Sequence, residues 1–240
     1  MRTCIAETRN LSTLARTAQA LLDRAADLPG IAAIVGPPGV GKTQGCVWLR
    51  DRTDAVFLRA RSVWTTRSLI DDLARELRCD THGRRGVVFD RAIEALAMSG
   101  RPIIVDEADY LLDSRSLIDA VRDVHDLSTV PLFVVGMERF TARVQEREQF
   151  ASRIAHVVEF SWADLDDARA VAEACCEVEF ADDLLTRIGN RAAWSLRRIK
   201  VALSQVETWA EMRGLERVTA ADWGDQPLEG AVKGKRGGGR

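Results

Sequence analysis

Eight residues, Gly36-Pro-Pro-Gly-Val-Gly-Lys42-Thr43, constrain this chain more than any other feature. They follow the apolar run Ile31-Ala-Ala-Ile-Val35 and precede a segment containing Val47, Trp48 and Leu49. A short apolar run bounded by glycines reads as a strand buried on both faces, as in a parallel sheet, and the segment after the loop reads as a helix. Glycines at 39 and 41 let the backbone turn so that successive N–H groups face one point, and the helix N-terminus adds partial positive charge there. Such a loop is a cradle for phosphates. Lys42 would reach the β- and γ-phosphates of ATP, and the Thr43 hydroxyl would be a ligand to Mg²⁺. The nucleotide contacts are thus assigned to Gly36, Pro37, Pro38, Gly39, Val40, Gly41, Lys42, Thr43 and Gln44.

Further apolar runs of strand length occur at Ala55–Leu58, Ile103–Val105 and Leu132–Val135, with a weaker one at Val157-Val158. Between them lie helical patterns: Leu69, Ile70, Leu73 and Leu77 after Thr65-Thr66; Val88, Ala92 and Leu96; and Leu117, Ile118, Val121 and Val124 after Asp113-Ser114. Strand and helix alternate, so the fold class is α/β, a parallel sheet with helices on both faces. After Trp162 the strand signals stop and three helical stretches follow, with Gly214 placed to end the longest and Thr219 to cap a short last helix. The expected organisation is an N-terminal helix and linker at 1–29, an α/β core at 30–162, a small helical domain at 163–227 and a disordered basic tail at 228–240.

The segment Arg101-Pro-Ile-Ile-Val-Asp106-Glu107 ends an apolar strand on two acids. Asp106 is in register to meet a magnesium ion held by the phosphate loop. Transfer of a phosphoryl group to water needs a residue that positions the attacking molecule, and Glu107 suits that role. A phosphotransferase has no particular need of this adjacent glutamate, so the pair favours hydrolysis. Asp109 reads as a surface or helix-start residue.

Composition excludes more than it selects. Lys plus Arg number 34 and Asp plus Glu 36, so net charge singles out no partner. The three histidines lack metal-ligand spacing. No apolar run approaches the roughly 20 residues that span a bilayer, so no membrane association is expected. The five cysteines, Cys4, Cys46, Cys79, Cys175 and Cys176, show no CxxC spacing and no signal-peptide core precedes them, which points to a reducing cytoplasm. Neighbouring Cys175 and Cys176 read as core filler on a helix.

GPPGVGKT at 36–43, IIVDEAD at 103–109, VVGMERF at 134–140, ASRI at 151–154 and SLRRI at 195–199 together resemble an AAA+ ATPase. Within that group the pattern is similar to the transposition helpers, the family of phage Mu transposition protein B, TnsC and TniB. The resemblance spans about Glu7 to Trp223. It implies a five-stranded parallel sheet ordered 5-1-4-3-2 with a C-terminal helical lid. It also implies that Arg153 acts as an arginine finger on the neighbouring subunit's γ-phosphate and Arg197 as the lid's sensor 2, for which Arg191 and Arg198 compete. Two departures stand out: the usual polar sensor 1 position reads Gly136-Met137-Glu138, where either Glu138 substitutes or the role is absent, and no separate DNA-binding domain precedes the core. The implied partners are duplex DNA bound without sequence preference, further copies of the chain in a homo-oligomer or helical filament, and a transposase. Basic residues suited to DNA phosphates include Arg59, Arg84 and Arg85, with Arg61, Arg67 and Arg115 the chosen contacts and Lys233, Lys235, Arg236 and Arg240 a flexible addition. Two alternatives share much of this pattern: a replicative helicase loader, and a signalling or secretion ATPase that binds protein alone.

Overall fold

Apolar runs and amphipathic segments become strands separated by one or two helical segments up to Phe160, and helices dominate beyond it. The computed structural model describes residues 1–2, 4–25 and 27–228. The basic tail, with Lys233, Lys235, Arg236 and Arg240, lies outside the described residues. The elements run α1 (Arg9–Leu22), β1 (Ile31–Val35), α2 (Lys42–Thr53), β2 (Val56–Arg59), α3 (Thr66–Glu76), α4 (Arg85–Ser99), β3 (Ile103–Asp106), a 3-10 turn (Ala108–Asp113), α5 (Arg115–Ser128), β4 (Leu132–Val135), α6 (Phe140–Val144), α7 (Glu148–Ala151) and β5 (Ile154–Glu159). There follow α8 (Leu165–Cys175), β6 (Glu179–Phe180), α9 (Asp182–Ala192), α10 (Leu196–Glu211), β7 (Arg217–Val218) and α11 (Ala220–Trp223). They group into two compact units: Asn10–Pro37 with Lys42–Phe160, and Met1–Arg9 with Pro38–Gly41 and the chain from Ser161 onward.

In the first unit all five strands are parallel, in the order β2-β3-β4-β1-β5, which is the expected 5-1-4-3-2 read from the other edge. Every residue of β1, β3 and β4 is buried, because helices cover both faces of the sheet and leave no room for alternation. The weaker signal at β5 has the same cause in reverse: as an edge strand it buries only Val158, so apolar side chains are needed at few positions. Helix starts follow local chemistry. The Thr65 side chain accepts from the Ser68 N–H at the head of α3, and that of Ser114 accepts from the Leu117 N–H at the head of α5. Among the described residues no helix is long and apolar enough to cross a membrane.

The second unit is a helical packing around Leu184, Leu185, Ile188, Ile199, Leu203 and Trp223. A capping box starts α8, with the Asp164 carboxylate on the Asp167 N–H and the Asp167 carboxylate on the Asp164 N–H. A second box, Thr219 with Asp222, starts α11 as expected from Thr219. Strands do not stop at Trp162, however: β6 and β7 pair in parallel through two residues each, a stretch too short to leave a period in the sequence. The N-terminal segment belongs here as well. The Arg2 N–H donates to the Cys175 carbonyl at 2.6 Å, Ala6 is buried in the helical core, and Cys4 is joined to Cys175 by a disulfide. Cys175 is therefore not simply core filler; it is one end of a crosslink spanning 171 residues, which no local spacing announces. Cys46, Cys79 and Cys176 are free thiols.

Candidate nucleotide site

Strand β1 delivers the chain to the loop at Gly36, and α2 begins at Lys42. Between them Gly39 and Gly41 take φ of +89° and +100°, a region closed to residues with a Cβ, which is why these two positions are glycine. The Lys42 ammonium folds over the loop and donates to the carbonyls of Gly36 and of Pro37, the latter at 2.9 Å. Burial pushes the lysine's pKa down, and the carboxylates of Asp109, Glu107, Asp106 and Glu138 oppose that shift. An ammonium so placed is ready to exchange two carbonyls for phosphate oxygens.

Asp106 ends β3 and is 3% exposed. Its Oδ2 accepts from the Thr43 hydroxyl at 3.2 Å and its Oδ1 from the Glu107 N–H at 2.9 Å. Burial raises the Asp106 pKa, and the Glu107 carboxylate pushes it the same way. A hydroxyl and a single carboxylate, both hard oxygen donors, fit a Mg²⁺ ion that takes its other ligands from phosphate and water. Among the described residues no group of three or more His, Cys, Asp or Glu could hold a metal by itself.

Glu107 sits in the left-handed region, φ +57° and ψ +38°, an uncommon conformation for a residue with a side chain and one that turns the chain sharply out of β3. Its Oε1 accepts from Arg59 at 3.3 Å. That contact follows from sheet register, which sets Arg59 beside Asp106. Asp109, in the 3-10 turn, accepts the Met137 N–H at 2.7 Å and so ties the turn after β3 to the end of β4. Met137 and Glu138 expose their side chains. The roles of Arg59 and Asp109 toward this site are invisible in the sequence, because both arise from neighbouring strands; the only trace of Asp109 is its spacing of three from Asp106.

Arg153 immediately precedes β5, and its carbonyl accepts the Ile31 N–H at the start of β1. It therefore lies at the end of the sheet opposite Gly36, about 17 Å away at about 3.3 Å per residue of β1. Its guanidinium is held by Asp126 through Nε and Nη2, the latter at 2.9 Å, and by the Gln149 carbonyl through Nη1. In the helical unit, Arg197 is the second residue of α10 and has an exposed side chain, and its N–H donates to the Gly39 carbonyl at 3.1 Å. The three arginines chosen for DNA are exposed and each faces an acid: Arg61 faces Asp72 at 3.2 Å, Arg67 faces Asp71 at 3.6 Å and Arg115 faces Asp119 at 3.9 Å. They sit on separate elements, the first two near α3 and the third at the head of α5.

The sequence pattern of the AAA domain family matches residues 25–144, half of the chain and all of the loop and acids just described. No curated protein sequence matches. Among solved structures, the chain is similar to the Orc1 protein of Aeropyrum pernix in complex with DNA, with a TM-score of 0.66 and 20% identity over 88% of this chain and 63% of that one. It is also similar to the ORC2 protein of the same organism in ADPNP and ADP complexes, with a TM-score of 0.69 and 14% identity over 90% and 70%. A third is the Holliday junction branch migration motor RuvB of Thermotoga maritima, with a TM-score of 0.58 and 15% identity over 91% and 68%. The chain thus spans less than two thirds of the Orc1 structure, and identities this low speak for the fold. The matched residues and the strand order agree on one family, and this chain belongs to it: the AAA domain proteins, whose fold supports nucleotide hydrolysis in general.

Proposed function

We propose that this chain is an ATPase that assembles on duplex DNA and uses hydrolysis to time its release, acting as a transposition helper that captures target DNA and activates a transposase. One observation carries the assembly: Arg153 stands at the far end of β1 from the phosphate loop, too distant to serve its own nucleotide. As an arginine finger it would serve a nucleotide on an adjacent copy, and each site would then be complete only between two copies. DNA is supported by the likeness to an Orc1 protein in complex with DNA and to a branch migration motor. Transposition is supported by the order and spacing of the motifs from 36 to 199.

Within one copy the residues divide the work. Lys42 and the loop N–H groups hold the phosphate chain, and Thr43 and Asp106 would hold Mg²⁺. When bound, that ion neutralises charge on the β- and γ-phosphates. Glu107 orients a water toward the γ-phosphate once it leaves Arg59, and Arg197 would act as sensor 2, as the resemblance implies. Arg61, Arg67 and Arg115 would exchange their carboxylates for DNA phosphates, so binding should be indifferent to sequence and should weaken steeply with salt.

The test uses plain duplex DNA with a slowly hydrolysed ATP analogue at low salt. A nucleotide-dependent mobility shift with oligomers visible by negative stain is expected, and Glu107→Gln should give the same assemblies with ATP itself. No shift under these conditions removes the DNA reading. The likeness to Orc1 favours a second reading, a replicative helicase loader; stimulation of helicase loading, with no effect on strand transfer by a transposase, would select it.

A further inference from the structure

The end of the sheet that carries Arg153 holds a pocket of about 310 Å³, lined among others by Arg24, Asp27, His125, Asp126 and Arg153. It is a built site. The Arg24 Nε and Nη2 atoms and the His125 ring stand within 2.4–2.5 Å of where a Cβ on Gly30 would be, so the two side chains close over the space that this glycine leaves free. The Thr129 carbonyl accepts from Arg24 Nη2 and the Leu21 carbonyl from Nη1 at 3.3 Å, which fixes the guanidinium in place.

The two arginines differ in how their charge is met. All three nitrogens of Arg153 have partners, and Asp126 neutralises it. Arg24 has hydrogen bonds to carbonyls alone; among the described residues no carboxylate lies within 4 Å of it, and its buried Nε has no partner. Desolvation therefore pushes its pKa down without a counter-charge to restore it. An anion approaching Arg153 by itself would meet a pair of zero net charge and the repulsion of Asp126. Asp27 also lines the pocket, so its two arginines face two aspartates in all, but Arg24 is the guanidinium that, among the described residues, no carboxylate within 4 Å engages, and its charge is the one an incoming anion can meet without displacing an acid.

We propose that Arg24 and Arg153 together form a two-guanidinium receptor for the triphosphate of a nucleotide bound on an adjacent copy of this chain. The inference rests on the trans reading of Arg153 and adds a second residue to it. Arg24 is preset by its carbonyl bonds and draws the polyanion in; the γ-phosphate then competes with Asp126 for Arg153, and the exchange couples contact between copies to hydrolysis. Both guanidinium groups are planar forks suited to phosphate oxygens.

Mixed-subunit turnover on duplex DNA tests it. Arg24→Gln by itself should lose about tenfold or more in ATP turnover, on the scale of removing one donor to a transition-state oxyanion, with nucleotide affinity within about twofold. Adding Glu107→Gln subunits, which bind ATP but cannot hydrolyse it, should restore turnover at the intact sites of the Arg24→Gln subunits by lending them Arg24. Arg153→Ala mixed in the same way is the control. Rescue of Arg153→Ala without rescue of Arg24→Gln overturns the proposal while the trans reading of Arg153 stands; rescue of neither removes both. Unchanged turnover in Arg24→Gln also overturns it. Should that variant fail to fold, Arg24→Lys, which keeps the charge and loses the fork, should show a smaller loss with the same rescue, and a loss that mixing cannot repair counts against the proposal.

Discussion

Glu107, proposed to orient the attacking water, has its carboxylate engaged by a single contact to Arg59. The pair spans 3.3 Å on an exposed face, with side chains 41% and 59% exposed, and an exposed pair is worth about 0–1 kcal/mol. Arg59→Ala should therefore raise basal ATP turnover, by at most about fivefold, since 1 kcal/mol off a barrier is worth about that factor. A fall in turnover would mean that Arg59 aids hydrolysis instead. Asp106 makes a prediction of opposite kind. Its pKa is raised in the folded chain, so the native state binds the proton more tightly than the unfolded one, and stability is lost as pH rises from the unfolded value of 3.8 through the folded one. Asp106→Asn can keep both hydrogen bonds, donating to the Thr43 oxygen and accepting from Glu107. It should stabilise the nucleotide-free protein at neutral pH, where about 1 kcal/mol reads as roughly 2–4 °C in Tm, and the gain should vanish below the unfolded pKa. The same variant should lose Mg²⁺-dependent turnover.

At the scale of elements, the helical unit depends on one buried carboxylate. Asp167 is 3% exposed, yet it accepts from the Arg9 N–H at 2.9 Å, from the Arg9 guanidinium at 3.2 Å and from the Asp164 N–H at 3.3 Å, so it caps α8 and anchors the head of α1 together. Asp167→Ala takes this acceptor from the Arg9 and Asp164 N–H groups, while the Arg9 guanidinium keeps Asp164 and the Trp162 carbonyl. A loss of about 2–4 kcal/mol is expected, read as faster amide exchange in α8 than in β1 or β4. Cap residues such as Ser114 and Thr219 were legible in sequence because a cap is a local event. Asp167 was not, since its main partner is 158 residues away. The pairing of β6 with β7 escaped for the same reason, two residues being too few to show a period.

For the whole molecule the disulfide is the feature with the widest reach. Joining residues 171 apart removes much chain entropy from the unfolded state, so reduction, or Cys4→Ser, should cost about 2–5 kcal/mol. Thiol titration should find three free cysteines before reduction and five after; five at the outset would show that the bridge does not form. By itself the sequence determined the class of the fold, the phosphate loop and the acids after the third strand, because each is written in contiguous residues: burial on both faces forces apolar runs, and only glycine accepts the loop's left-handed turns. Tertiary structure alone decided what those residues touch. The partners of Glu107, of Asp109 and of Arg153, the bond from Cys4 to Cys175, and the hold of the Thr129 carbonyl on Arg24 are all meetings between segments apart in the chain. Such meetings are set by strand register and helix packing, which no local pattern of residues records.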